Sequence, residues 1–399
     1  MKRMAPSAES DGTLVVESGH IVNGREVGAR NGGTFDVLSP YDRRVVARVP
    51  AGTELDIEAA VEAADAAFPV WSSWTPAQRE KAFFDVADLV HAAKDRFGVR
   101  PPAPASDCLQ IAKPTRITTQ TDRTPVIVTV SWLVDEGGSA VTKAEFETKY
   151  AIDVLRTAGG EARRLYGDTF PADRNERLSI VVREPMGVIG AISPFNAPLI
   201  LLIKMIAFPI AGGNTIVAKP SEETPMVAIE LAKLFVEAGF PNGVFNVVTG
   251  LGRDVGEPLV RHPKVRGITF TGSTSVGRKI ASIASERMAR IHMELGGKNP
   301  VIVLRDANLE EAAAQIALGA FAHAPYMPTR VSTPAVRDRA LTTQTRTQER
   351  SPTPARFACP PRASSLRRRS RDLLQRRSSS ASRRCSLAIC VTPRRHTAR

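Results

Sequence analysis

From Leu178 to Leu295 the chain repeats one pattern. A short apolar run is followed by a turn with glycine or proline, then by a stretch spaced like a helix. "LSIVVREPMGVIGAIS" holds two such runs, broken at Pro185; "NTIVAKPSEETPMVAIELAKLFVEAG" is a run, a turn and a helix closing at Gly239; "GVFNVVTG" and "RGITFTGS" are further runs. Apolar runs that do not alternate suit strands buried on both faces, and such strands belong to a parallel sheet whose crossovers are helices. The expected fold class is therefore α/β with a Rossmann-type parallel sheet. Ala197–Gly213 is the longest apolar stretch, but Lys204 and Pro209 interrupt it. It reads as a buried helix, not a membrane span.

The flanks are less regular. Residues 1–15 read as a loose terminus, and His20–Pro50 as a small antiparallel meander. Two amphipathic helices are expected. Asp56–Phe68 would bury Ala59, Ala60, Ala63, Ala64 and Ala67; Thr75–Ala93 would bury Phe83, Val86, Leu89 and Val90. Gly98–Thr129 is rich in Pro, Thr and Arg without a period and reads as an insert. Past Ala324 the text changes again. Pro325–Arg399 holds 18 Arg, no Lys and three acids (Asp338, Glu349, Asp372), so the chain's net charge of +13 sits in that tail. The 324 residues before it are close to neutral. The tail is expected to be disordered. Four cysteines (Cys108, Cys359, Cys385, Cys390) show no paired spacing, which argues against a structural metal site. No secretory leader is read at the start, and a soluble, cytoplasmic protein is expected.

Four stretches carry chemistry. In "GITFTGSTSVGRKIASIA", Gly272 would end a strand and Ser273 would start a helix, whose N–H groups and dipole suit a pyrophosphate. Gly277 is followed by Arg278, Lys279 and Ile280, so the P-loop pattern fails. In "VAKPSEETP", Lys219 and Glu222 could hydrogen-bond ribose hydroxyls; a solvated turn with a helix cap fits the same residues. In "SPFNAP", Asn196 could donate to a developing oxyanion or bond its own backbone. In "HMELGGKNP", Glu294 stands in an apolar setting where burial would raise its pKa, as suits a general base. A surface Glu before a turn is the alternative.

Together these stretches resemble the aldehyde dehydrogenase superfamily over Asn23–Phe97 and Ser131–Ala324. "MELGGKNP" matches the family's glutamate signature, and "SPFNAPLILLIKMIAFPIAGGNT" looks most like the aromatic-aldehyde branch. The resemblance implies oxidation of an aldehyde to an acid by way of a cysteine thioester, with hydride passing to NAD (NADP as the alternative). It makes Asn196 the oxyanion donor and Glu294 the base. Lys219, Ser221 and Glu222 would hold the ribose, Gly272 and Ser273 would approach the pyrophosphate, and Ile192, Ser193, Pro194, Phe195, Gly252, Phe270, Val276, Gly277 and Leu295 would line the cleft. A Glu at 222 would repel a 2′-phosphate and so favours NAD. No metal is implied. The domains implied are an NAD(P)-binding domain over 16–167 and 186–297, an oligomerisation arm over 168–185 and the start of a catalytic domain over 298–324.

The family's nucleophile lies in Gly-Gln-x-Cys about 34 residues past the glutamate, a count that lands on Pro328. Before Ala324 the chain has only Cys108, inside the insert. Arg without Lys, with Pro, Ser, Thr and Ala, is what shifted reading of GC-rich DNA gives, so a frameshift is expected in the tail; the insert has a similar Pro-, Thr- and Arg-rich character and the family pattern recovers after it, so a frameshift is expected there too. The chain is expected to be a truncated, inactive relative whose homo-oligomer is impaired. The rival readings are a nucleotide-binding remnant, or an Arg-rich tail that binds nucleic acid; such binding would be non-specific in sequence.

Overall fold

The computed structural model describes residues 15–97, 131–172, 174, 177–297, 301–304 and 306–321. The insert and the tail lie outside them, as do Cys108 and Pro328. The chain divides after Leu295 into two units.

The first unit starts with β1 (Val16–Glu17), β2 (His20–Val22), β3 (Arg25–Val27), β4 (Thr34–Leu38) and β5 (Val45–Pro50), then α1 (Glu54–Ser73), α2 (Pro76–Ala92) and α3 (Lys94–Phe97). α4 (Trp132–Asp135) and α5 (Val141–Ala162) follow, then β6 (Asp168–Phe170) and β7 (Ser179–Val181). The remainder alternates: β8 (Val188–Ile192), α6 (Pro198–Ala211), β9 (Thr215–Lys219), α7 (Pro225–Glu237), β10 (Phe245–Val247), α8 (Glu257–Arg261), β11 (Val265–Gly272), α9 (Thr274–Ser285) and β12 (Arg290–Leu295).

Seven strands form the main sheet in the order β12-β11-β8-β9-β10-β2-β3. The first five are parallel, and the β2–β3 hairpin adds to β10 antiparallel. Side chains alternate between two cores. Ile189, Ala191, Ile216, Ala218 and Val247 pack with α2, α5, α6 and α7. Val188, Val217, Ile268 and Phe270 pack with α1, α8 and α9. A helical layer on each face explains why these runs are apolar throughout.

The N-terminal meander is not one sheet. β4 and β5 form a separate sheet with β1, which runs parallel to β5, while β2 and β3 belong to the main sheet. The cause lies in the Asn23–Gly24 turn. Both residues have positive φ (51° and 67°), the geometry of a tight hairpin. The Asn23 N–H also donates to Asn246 Oδ1 at 2.9 Å, which docks the hairpin on β10.

Both early helices form, with longer or shifted ends. α1 runs on through Pro69 because Trp71 is wholly buried and donates from Nε1 to the Ile210 carbonyl at 2.8 Å. Its buried face is Ile57, Ala60, Val61, Ala64, Ala67 and Trp71; Ala59 and Ala63 are half-buried. α2 is capped by Thr75 through a box with Gln78 and buries Phe83, Val86 and Val90, with Leu89 half-buried. No helix among the described residues is long and apolar enough to cross a membrane.

In the second unit, α10 (Leu309–Phe321) forms, and a single bridge residue, Ile302, precedes it among the described residues. Val303 and Ile316 are buried against Val301, Ala307, Leu309, Ala312 and Ala313.

Candidate functional site

Strand register brings the separate motifs to one line. Lys219 of β9 pairs with Ile192 of β8, Ile192 with Phe270 of β11, and Phe270 with Met293 of β12. These four residues form a row across the carboxyl ends of four parallel strands. The chain runs from β8 outward through β9 and β10, then returns to place β11 on the other side of β8. A topological switch point therefore lies between β8 and β11. Open α/β sheets bind ligands outside the strand ends at such a point. Ser193–Asn196, Ser221–Glu222, Gly272–Gly277 and Glu294–Leu295 all leave from this edge.

On the β9 side the groups are set in place. Lys219 is buried and its Nζ lies 2.9 Å from Glu222 Oε2. Burial pushes the Glu222 carboxyl upward, but the Lys219 charge and hydrogen bonds outweigh it and hold the group below the usual range. The pair uses one of the three ammonium hydrogens of Lys219, so both side chains keep capacity for a diol. Ser221 is buried in the same turn. Ser193 is buried, and its N–H donates to the Lys219 carbonyl at 3.1 Å, which ties the β8 and β9 turns together. Pro194, Phe195 and Asn196 are half-buried. The Asn196 backbone carbonyl is held at 2.6 Å by Lys143 Nζ from α5.

At β11, Ser273 caps α9 and accepts from the Val276 N–H at 3.3 Å. The two glycines have steric reasons to be there. A Cβ on Gly272 would fall 2.5 Å from the Phe270 ring, and one on Gly277 would fall 2.6 Å from Leu295 Cδ2. Gly277 thus lets α9 lie close against β12. Val276 is exposed, and a Cβ on Gly252 would meet nothing within 4 Å, so both border open space. A helix N-terminus, a Lys–Glu pair beside a serine and an open glycine turn fit the phosphates and ribose of a dinucleotide.

The expectation for Glu294 fails in one respect. Its side chain is 67% exposed, and it lies 3.8 Å from an equally exposed His292 Nε2. Among the described residues β12 is the sheet's last strand, paired with β11 alone. Its residues are exposed except for the half-buried Met293. The apolar setting is therefore absent from this unit. Leu295 is exposed as well.

Sequence reasoning missed several groups. A cavity of about 710 Å³ opens beside the Glu222 turn, between Leu251, Arg253 and Asp254 on one wall and Phe35, Arg43 and Thr53 on the other. Three ionisable side chains in the α4–α5 segment, Glu136, Lys143 and Glu147, are buried behind the site turns. A charged residue in a helical stretch reads as solvated face, so nothing in the pattern marks them. Glu58, Glu62 and His262 also meet, with ligand atoms within 4.8 Å of one another. Lys264 already engages Glu62 at 2.7 Å and Asp65 at 2.9 Å, and His262 Nε2 engages Glu58 at 3.0 Å, so the cluster is internally paired.

Comparison with known proteins gives the family. The family described as "Aldehyde dehydrogenase family" matches residues 27–100 and 128–336. The break falls within the Gly98–Thr129 insert, and the match runs past Ala324. Phenylacetaldehyde dehydrogenase of Pseudomonas fluorescens is 37% identical over 309 residues, covering 75% of this chain and 55% of that protein. D-glyceraldehyde dehydrogenase (NADP(+)) of Picrophilus torridus is 34% identical over 291 residues, covering 73% and 52%. The crystal structure of an NAD-dependent aldehyde dehydrogenase from Sinorhizobium meliloti superposes with a TM-score of 0.68 at 35% identity, covering 80% of this chain and 58% of that one. The chain spans about half the length of the curated relatives it matches.

Proposed function

The chain belongs to the aldehyde dehydrogenase family, and from that premise we propose that residues 15–297 are its dinucleotide-binding part, able to hold NAD but unable to oxidise an aldehyde. The observation that carries the reading is the row Lys219–Ile192–Phe270–Met293, which gathers the motif turns at the switch point. Lys219 and Glu222 bind the ribose hydroxyls as donor and acceptor. The α9 N-terminus receives the pyrophosphate. A bound nicotinamide would supply the hydride acceptor. In the complete reaction the Asn196 amide would donate to the aldehyde oxygen as it gains charge and Glu294 would take a proton from water, but this chain lacks the thiolate that must act first.

No cysteine stands where the thiolate is needed. Pro328 occupies the counted position, and Cys359 falls 65 residues past Glu294 in the Arg-rich tail. Loss of a covalent nucleophile costs about 10⁶ in rate; an oxyanion donor is worth only about 10²–10³, so Asn196 and Glu294 do not compensate. We assign an aromatic aldehyde as the substrate of the active ancestor, supported by the "SPFNAP" stretch and by similarity to phenylacetaldehyde dehydrogenase. NAD is the preferred cofactor because the Glu222 carboxylate opposes a 2′-phosphate; NADP is the alternative, as the Picrophilus torridus relative is named for it. Self-association would use the β6–β7 hairpin, where Phe170, Ile180 and Val181 are exposed. The tail would hold polyanions without sequence preference.

Calorimetric titration of the purified 399-residue chain tests the binding reading. Saturable binding of NAD, tighter than that of NADP, is expected. A folded chain that gives no heat at millimolar NAD would refute it. The coding DNA tests the frame: restoring it at codon 325 should yield Gly-Gln-x-Cys, and its failure to do so ends the frameshift account.

A further inference from the structure

The turns that carry Asn196 and the Lys219–Glu222 pair each run directly into a crossover helix, and the two helices start alike. α6 starts Ala197-Pro198-Leu199-Ile200, and α7 starts Thr224-Pro225-Met226-Val227. Proline at the first helical position has no N–H to satisfy. The N–H groups at the second and third positions still need acceptors, ordinarily from the cap residue's own side chain. Neither cap residue supplies one. Ala197 has no acceptor, and Thr224 Oγ1 is buried without a hydrogen-bond partner.

A carboxyl from elsewhere in the chain faces each start, and one of the two closes the hydrogen bonds. Glu136, at the end of α4, accepts from the Met226 N–H at 3.0 Å and the Val227 N–H at 2.8 Å. Glu147, wholly buried on α5, turns its carboxyl toward the Leu199 and Ile200 N–H groups, without closing a hydrogen bond of good geometry. Its Oε1 lies 3.1 Å from Lys143 Nζ, and the same ammonium reaches the Asn196 carbonyl at 2.6 Å and Ser139 Oγ at 2.9 Å. Burying a carboxyl is costly unless its oxygens find partners. Here two are buried within eleven residues of each other, each at the start of a helix that follows a site turn.

We propose that Glu136 and Glu147 are positioning residues for the dinucleotide site: Glu136 caps α7 from outside and fixes the Lys219–Glu222 turn, while Glu147, with Lys143, holds the start of α6 and the Asn196 turn. The proposal deepens the cofactor reading above and rests on it. Each turn has its own external brace, so the two are independently adjustable.

Hydrogen exchange on the full chain, paired with NAD titration, tests the assignment. Glu136→Ala should speed exchange over 220–228, leave 193–201 unchanged and weaken NAD binding at least tenfold. Glu136→Gln keeps one acceptor and should stay within threefold of the parent. Glu147→Ala and Lys143→Met should speed exchange over 193–201 and leave 220–228 unchanged. A purely packing role predicts a different result, in which exchange rises throughout and Gln is as damaging as Ala. That result, or unchanged exchange in both turns, overturns the proposal. If Glu136→Ala does not fold, Glu136→Gln and Lys143→Met decide by the same regional criterion. If the parent chain binds no NAD, the cofactor reading fails, and the exchange pattern still decides whether the braces exist.

Discussion

β9 and β12 are both parallel strands of one sheet, and both carry a candidate functional residue at the carboxyl end. Every residue of β9, Thr215 to Lys219, is buried; β12, Arg290 to Leu295, is exposed except for the half-buried Met293. β9 has a strand on each side and a helix layer on each face, while β12, among the described residues, has β11 on one side only. Lys219 is consequently locked to Glu222, whereas Glu294 is left in solvent. The difference teaches that the two groups proposed for binding and for proton transfer are built separately. The turn proposed to bind ribose is set within the first unit, and the carboxylate proposed to activate water is exposed there.

The largest expected effect concerns catalysis. Turnover of benzaldehyde with NAD, followed by NADH absorbance, should lie about 10⁶ below that of an ordinary family enzyme. Glu294→Gln should change nothing further, because the limiting loss is the missing nucleophile. Measurable turnover that Glu294→Gln abolishes would break the comparison.

Stability should show the same asymmetry on a smaller scale. Ile216→Ala in β9 empties a fully buried position and should cost about 2–5 kcal/mol. Ile291→Ala in β12, at 45% exposure, should cost less than about 1 kcal/mol. Urea denaturation reads both, and equal losses would mean that β12 is covered. The Lys219–Glu222 pair sharpens the point. The Lys219 side chain is 5% exposed and that of Glu222 44% exposed. Glu222→Ala strands a buried ammonium and should cost about 2–3 kcal/mol. Lys219→Ala leaves a carboxylate that water reaches and should cost about 1 kcal/mol. The reverse order would contradict the assigned burial.

The smallest effect is a pH slope. Burial pushes the Glu136 carboxyl up to about 8; the Val227 and Met226 N–H groups oppose the rise, and the Asp135 and Glu230 charges add to it. The folded state therefore binds this proton more tightly than the unfolded chain does. Its contribution is full below about pH 4.5 and is lost as pH rises through about 8. Stability measured between pH 5 and 8 should fall, and Glu136→Gln should flatten that fall. A rise across the window that Gln leaves unchanged would refute the burial argument.

The central sheet was legible because strands covered on both faces announce themselves as unbroken apolar runs, as at "TIVAK" and "VIGAI". The turns were legible because glycines and capping serines are set by local sterics, as at Gly272, Ser273 and Gly277. The register that aligns Lys219 with Ile192 and Phe270 was not, since pairing is a long-range choice among similar apolar runs. Nor was the splitting of the N-terminal strands between two sheets, which depends on Asn246 meeting the Asn23 turn 223 residues away. Glu294 misled for a related reason: its neighbours Met293 and Leu295 look like core, but among the described residues β12 is an edge strand, where Met293 is only half-buried and Leu295 is exposed. Glu136 and Glu147 gave no signal, because only the helices they brace explain a buried carboxyl.

The most direct test is a hydrogen-exchange footprint of NAD on the full chain. The account predicts that NAD slows exchange in 192–196, 219–224 and 272–277 and leaves 290–295 unchanged. Slowed exchange over 290–295 with none at 219–224 would place the ligand on the other flank and contradict the separation of a built binding turn from an unbuilt catalytic edge.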